Sequence, residues 1–297
     1  FFKQKTAYEI YQCDWSSDVC SSDLTRSHRG REGMSGEDEV TYGSYLKVPE
    51  LLALQQPLSD GPEHDELLFI VIHQTYELWF KQMLHELSET QRCLEAGDLW
   101  RSLALLGRAR TIMKTLVSQV DILETMTPLQ FNAFRERLES SSGFQSGQFR
   151  EFEAVLGRRG DMPLSNLPEG SHERVRVDAA LARRSLWGST LVCLAALGHP
   201  VPAAHLEDVT SQLTGADVAV QEMLVNIYRT DDATSLLLER LIDLDEGVQE
   251  WRYRHVKMVE RTIGMKGGTG GSSGAGYLAS TLFRPVFPDL WAVRDRF

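Results

Sequence analysis

The chain has 297 residues, 42% of them hydrophobic, enough to bury the core of one large domain or two small ones. Its 31 Lys and Arg are outnumbered by 42 Asp and Glu, a formal charge of −11, which argues against a nucleic-acid-binding surface, because such surfaces are basic. Apolar runs such as residues 67–72 are far too short to cross a bilayer, and no charged, apolar and small-residue succession marks a secretory signal, so a soluble, cytoplasmic chain is expected.

Residues 1–24 keep neither a helical nor a strand period. Within them, CDWSSDVCSSDL resembles an in-frame translation of a sequencing-library adapter, which sets the stretch, with Cys13 and Cys20, apart from the fold. Residues 25–33 are short, polar and partly basic, and Met34 precedes SGEDEVTYGSYL. Met34 is therefore the expected native start. Residues 1–33 are expected to be a non-native or disordered leader, and 34–297 a single helical domain.

From Thr41 on, helical signals dominate. A polar stretch at 62–66 precedes apolar residues at helical spacing through Leu94, with Phe69, His73, Tyr76, Phe80, Met83 and Leu87 on or near one face. Gly97-Asp98 interrupts, and Asp98 is placed to cap a second long helix carrying Leu103, Leu106, Ile112, Leu116, Val120 and Leu123. Thr127-Pro128 gives a cap and first turn for a shorter helix to about Leu138. Residues 140–147 read as a Ser/Gly loop, 149–156 as a short helix, and 158–170 as a loop with Gly and Pro. Helical patterning resumes through Leu197, with a break expected near Gly188, and ends at Gly198-His199-Pro200. A helix is expected over 216–228. Asp231 or Asp232 then caps a long helix reaching Ile263, with Gly264 where a C-terminal Gly belongs. Residues 266–276 are Gly/Ser-rich and 277–297 mixed. Neither strand-period runs nor a solenoid repeat occur, so the fold class is all-α, a bundle built on long helices.

Candidate chemistry is sparse. Without a CxxC pair, Cys93 and Cys193 read as small buried apolar residues. His28, His64, His85, His172, His199 and His205 sit in polar or loop-like surroundings and read as solvated. His255 differs, because Leu244, Val248, Trp251, His255, Met258 and Val259 form one helical stripe. An imidazole there is either a core histidine bonded to a carbonyl or a ligand to a metal or haem. Arg252, Arg254 and Lys257 beside it suit haem propionates or a solvated, ion-paired face. His73, among apolar and aromatic neighbours with Phe69 one turn before, suits a general base, an acceptor for a substrate N–H, or a structural role. No second His stands four residues on, so a two-His zinc helix is absent. Arg135, flanked by Phe131 and Phe134, suits bidentate capture of a carboxylate. The run GGTGGSSGAG at 267–276 is neither a phosphate loop nor a dinucleotide fingerprint. It suits a linker or a backbone approach to an anion.

Five segments together resemble the tryptophan 2,3-dioxygenase family: TYGSYLKVPELLALQ (41–55), DELLFIVIHQTYELWFKQMLHELSE (65–89), ILETMTPLQFNAFRERL (122–138), SSGFQSGQFRE (141–151) and WRYRHVKMVERTIGMKGGTGGSSG (251–274). They span nearly all of 41–297, and so ordered a set is specific where one short motif is not. The resemblance implies an all-helical haem b enzyme, usually a homotetramer. Such an enzyme cleaves the indole C2–C3 bond of L-tryptophan with O2 to give N-formyl-L-kynurenine, the first step of the kynurenine pathway. It also implies His255 as proximal haem ligand and His73 as acceptor of the indole N–H. By the same resemblance Phe69 and Phe131 wall the indole, Arg135 anchors the carboxylate, and Thr269 fixes the ammonium and carboxylate. Ser142 and Gly143 would line the distal pocket, and Tyr42, Tyr45 and Leu46 would complete a neighbouring subunit's pocket. Two rival readings share His255: a helical haem monooxygenase or peroxidase acting on another aromatic substrate, and a non-enzymatic haem sensor.

Overall fold

Short polar side chains write most of the helix starts. The computed structural model describes residues 40–61, 63–160, 162–207, 217–268 and 274–297, which are helical without strands. The expectations for the 1–33 leader and for Thr269 fall outside these described residues. The chain divides into two units, Phe1–Leu54 and Gln55–Phe297. In the first, Thr41 and Ser44 form a capping box that opens α1 (Tyr42–Leu46), and α2 (Val48–Leu52) follows. Neither helix buries a residue.

The second unit begins with α3 (His64–Glu95). The Asp98 carboxylate accepts the Arg101 backbone N–H at 3.1 Å and starts α4 (Leu99–Leu123). Thr127 and Gln130 form a second capping box at α5 (Pro128–Arg135), which tightens into a 3-10 turn at Glu136–Leu138. A further 3-10 turn, Gly143–Gln145, leads to α6 (Gly147–Leu156), capped by Ser146. Ser171 caps α7 (His172–Leu181) and Ser185 caps α8 (Leu186–Ala196). There follow α9 (Ala203–Glu207), α10 (Val218–Thr230), α11 (Asp232–Ile263), α12 (Ala275–Ala279) and α13 (Pro288–Ala292), with a last 3-10 turn at Arg294–Arg296. No described helix is long and apolar enough to cross a membrane.

The core lies where α4 packs lengthwise against both α3 and α11. Met83, Leu87 and Leu94 of α3 meet Leu106, Met113 and Leu116 of α4 and Leu237, Leu241 and Leu244 of α11, all buried. At the α4–α11 crossing a Cβ on Gly247 would stand 2.8 Å from the Met113 side chain, so the helices approach this closely only over glycine. Cys93 and Cys193 are buried and free, as read from the sequence.

Three expectations need correction. The break before α8 falls at 182–185, not near Gly188: the Ser185 hydroxyl accepts the Gly188 N–H at 3.1 Å, which puts Gly188 inside the first turn. Glycine is needed there for packing, because a Cβ would meet the Arg184 side chain at 2.6 Å. Second, His199 and His205 are largely buried rather than solvated. Their Nε2 atoms lie 3.3 and 2.8 Å from Asp231 and Asp217, the caps of α11 and α10. Third, α9 was not expected, and α12 begins inside the stretch read as Gly/Ser-rich and runs into the mixed C-terminal one, which also contains α13.

Asp231 carries the start of α11. Its carboxylate accepts the Thr234 N–H at 3.0 Å and the Thr234 hydroxyl at 2.6 Å, and these bonds hold its pKa below the ordinary 3.8. Asp231→Ala is expected to cost about 1–2 kcal/mol in chemical denaturation at pH 7. A depressed carboxylate stabilises the fold only while ionised. The difference between the two proteins should therefore shrink as the pH falls below 3.8.

Candidate active site

Helices α3, α5, α11 and α12 and the 3-10 turn before α6 converge on one cavity of about 270 Å³. Helix α3 contributes Phe69, His73 and Tyr76; α5 contributes Phe131 and Arg135; and α11 contributes Trp251, Arg252 and His255. Ser142 and Gly143 line it from the 3-10 turn before α6, and Tyr277, Leu278 and Thr281 from α12 and the turn after it. The sequence-predicted residues Phe69, His73, Phe131, Arg135, Ser142, Gly143 and His255 are thus brought together. Tyr42, Tyr45 and Leu46 lie on α1 in the first unit, where they are exposed.

His255 continues the apolar stripe of α11. Leu244 and Val248 point into the core, while Trp251, Met258 and Val259 reach the cavity with it. The Trp251 and His255 rings stack, with centroids 5.1 Å apart and planes at 27°. Desolvation pushes the imidazole down to about 4, and repulsion from His73 adds to this. Among the described residues no hydrogen bond offsets that penalty, so His255 is a neutral base at pH 7 with ring nitrogens free to bind. Of the two readings open in the sequence, a core histidine bonded to a carbonyl does not describe it.

His73 is fixed differently. Its Nδ1 lies 2.7 Å from the Phe69 carbonyl oxygen. A carbonyl only accepts, so Nδ1 carries the proton and Nε2 is left as an acceptor. Burial lowers its pKa, opposed by the Phe69 bond and by Glu77. Beside it, the Phe69, Phe131 and Phe134 ring centroids lie 5.4–5.8 Å apart and form an aromatic wall. Arg135 donates from Nη2 to the Gly267 carbonyl at 2.8 Å, which ties α5 to the Gly-rich segment.

A buried cluster of charge, of which only Arg252 was singled out from the sequence, forms another wall. The Glu153 carboxylate accepts from Arg150, from Arg158 at 2.8 Å and from Arg252 at 3.4 Å. Three guanidinium groups thus gather around one carboxylate on this wall. The Arg150 side chain is buried, its Nε has no hydrogen-bond partner among the described residues, and its guanidinium lies over the Phe144 and Phe149 rings at 5.1 and 5.2 Å. The available signal was Arg150 between two Phe and three residues before Glu153. Of the cations flanking His255, only Arg252 lines the cavity; Arg254 pairs with Asp121 and Glu124, and Lys257 with Glu260.

A family model described as Tryptophan 2,3-dioxygenase matches residues 26–166 and 199–296. The tryptophan 2,3-dioxygenase of Herpetosiphon aurantiacus is 60% identical over 86% of this chain and 97% of its own length. That of Anaeromyxobacter sp. (strain K) is 58% identical over 86% of this chain and 95% of its own. A more distant relative of the same name, from Xanthomonas euvesicatoria pv. vesicatoria, is 39% identical over 87% and 88%.

Removing the Glu153 carboxylate would take from the buried Arg150 guanidinium its ion-pair partner. Glu153→Ala is expected to lower stability by roughly 3–5 kcal/mol in denaturant titration.

Proposed function

The chain belongs to the tryptophan 2,3-dioxygenase family, and from that premise we propose that it cleaves the indole C2–C3 bond of L-tryptophan with O2, giving N-formyl-L-kynurenine, with haem b held by His255. The observation that carries the reading is one aromatic cavity lined by two neutral histidines of different kind: His255 with no hydrogen bond among the described residues, His73 with its tautomer set by a backbone carbonyl.

The residues fit the cofactor. Among the described residues no three His, Cys, Asp or Glu side chains gather as metal ligands. A lone imidazole suits an iron that brings its own equatorial donors. Arg150, Arg158 and Arg252 place guanidinium groups on the cavity wall to meet haem carboxylates, and among the described residues the Arg150 Nε has a donor to spare. When bound, haem supplies the iron that activates O2.

The chain's own residues do the rest. Phe69 and Phe131 wall the indole and exclude water. The His73 Nε2 accepts the indole N–H and so orients the ring. An indole N–H is a very weak acid, so His73 orients rather than serving as an obligatory base. Arg135 pairs the substrate carboxylate, and its bond to Gly267 couples that pairing to the Gly-rich segment, where Thr269 is assigned to the ammonium and carboxylate. Ser142 and Gly143 complete the distal wall. Both oxygen atoms enter the product as the C2–C3 bond breaks. The homotetramer belongs to the same proposal: Tyr42 and Tyr45 are 76% and 75% exposed on α1, a surface suited to cover by a partner subunit.

Incubating the haem-loaded protein with L-tryptophan and air tests the function, with the absorbance of N-formylkynurenine as readout. A haem spectrum that ignores L-tryptophan, with no product, would move the protein to the monooxygenase or sensor reading. His73→Ala is expected to raise KM and lower turnover by about 2- to 10-fold together, the worth of one hydrogen bond. Complete inactivity at normal haem content would contradict its orienting role. Protonating His73 turns its acceptor into a donor. Because its pKa lies below the ordinary 6.5, L-tryptophan affinity should be flat above pH 6.5 and fall only below it.

A further inference from the structure

Among the described residues, the most heavily used buried carboxylate outside the cavity is Asp245, on α11 ten residues before His255 and fully buried. Its Oδ1 accepts from the Gln249 side chain at 2.9 Å. Its Oδ2 accepts three N–H groups: the Val286 backbone at 2.8 Å, the Phe287 backbone at 2.9 Å and the Trp291 indole at 2.9 Å. Every one of these donors is neutral. A carboxylate hidden from water is tolerable only when such bonds stabilise its charge, so the four bonds act as a unit.

Three of the donors come from the segment after α12. That segment is held to α11 a second time where the Arg252 Nη1 donates to the Arg284 carbonyl at 3.2 Å. Asp245 and Arg252 are seven residues apart, two helical turns, and so lie on one face. The attachments run in opposite order along the two chains: Arg284 at Arg252, then 286–291 at Asp245. The segment therefore lies antiparallel along α11. Its near end is α12 and the turn after it, whose Tyr277, Leu278 and Thr281 line the cavity. Upstream, Gly274 adopts φ +63° and sits where a Cβ would strike the Lys266 carbonyl at 2.6 Å.

We propose that Asp245 is a positioning residue for the reaction: it clamps the C-terminal segment onto the helix that carries His255, and so sets the cavity wall formed by Tyr277, Leu278 and Thr281. The assignment rests on the function proposed above, because the consequence is substrate affinity. Loosening the clamp lets that wall drift while His255 and His73, on other supports, keep their places. KM for L-tryptophan should therefore rise without a matching loss of kcat.

The test compares full-length Asp245→Asn and Trp291→Phe with the unaltered holoenzyme. Asn keeps one oxygen for the backbone donors but loses the charge; Phe removes a single donor. Hydrogen–deuterium exchange is read over 275–291 and over α4, with haem content, kcat and KM measured on the same samples. Asp245→Asn should speed exchange over 275–291 but not over α4, and raise KM about five- to tenfold with kcat within about twofold. Trp291→Phe should do the same to a smaller degree. Unchanged exchange over 275–291, unchanged KM, or a uniform rise in exchange with kcat and KM failing together would each overturn the assignment. If the unaltered protein does not convert L-tryptophan, the proposed function fails, while the exchange pattern still decides whether Asp245 clamps the segment.

Discussion

A neutral imidazole in the middle of an apolar helix face constrains everything around it. His255 can stay neutral and free to bind only if water and hydrogen-bond partners are both kept from it, and the fold supplies that exclusion. Trp251 stacks on the ring, and the stripe that holds it continues into core residues Leu244 and Val248. The rigidity of α11 comes from its packing along α4, which at Gly247 is close enough to forbid a side chain. The desolvation that drives the imidazole down to about 4 thus follows from the packing of the long helices.

Charge is distributed against the overall composition. The chain is acidic, yet one wall of the cavity that His255 lines gathers three arginines around one glutamate. Burying such a cluster is costly, and it is tolerated because Glu153 bonds all three guanidinium groups and aromatic rings cover Arg150. The proposed cofactor's carboxylates would be further partners for these guanidinium groups. Asp245 shows the opposite arrangement: a buried anion held by neutral N–H donors, spent on tethering chain rather than on chemistry.

The long helices and most of their caps were legible because apolar spacing and short polar residues act locally. Asp98, Thr127 and Asp231 cap as their positions in sequence suggested. Gly188 misled because its glycine serves a tertiary contact with Arg184 rather than a helix end. His199 and His205 misled for a similar reason: their aspartate partners are 32 and 12 residues away, beyond any local pattern. At the site, His73, Arg135 and His255 stood out individually as polar groups among apolar neighbours. Their meeting in one cavity was implied by the family resemblance, not by spacing. The Arg150–Glu153–Arg158–Arg252 cluster joins α6, the turn after it and α11. Within the sequence only Arg252 drew notice, for its place beside His255; beyond the two Phe flanking Arg150, Arg150, Glu153 and Arg158 carry no local pattern that marks them as buried.

The central claim, that His255 supplies the single protein ligand to haem iron, is tested most directly by the axial-ligand signature of the reduced, O2-free protein. Resonance Raman spectra should show an iron–imidazole stretch in the unaltered protein. The stretch should be absent in His255→Gly and return when imidazole is added to that variant. An unchanged iron–imidazole stretch in His255→Gly without added imidazole would place the ligand elsewhere and contradict the account.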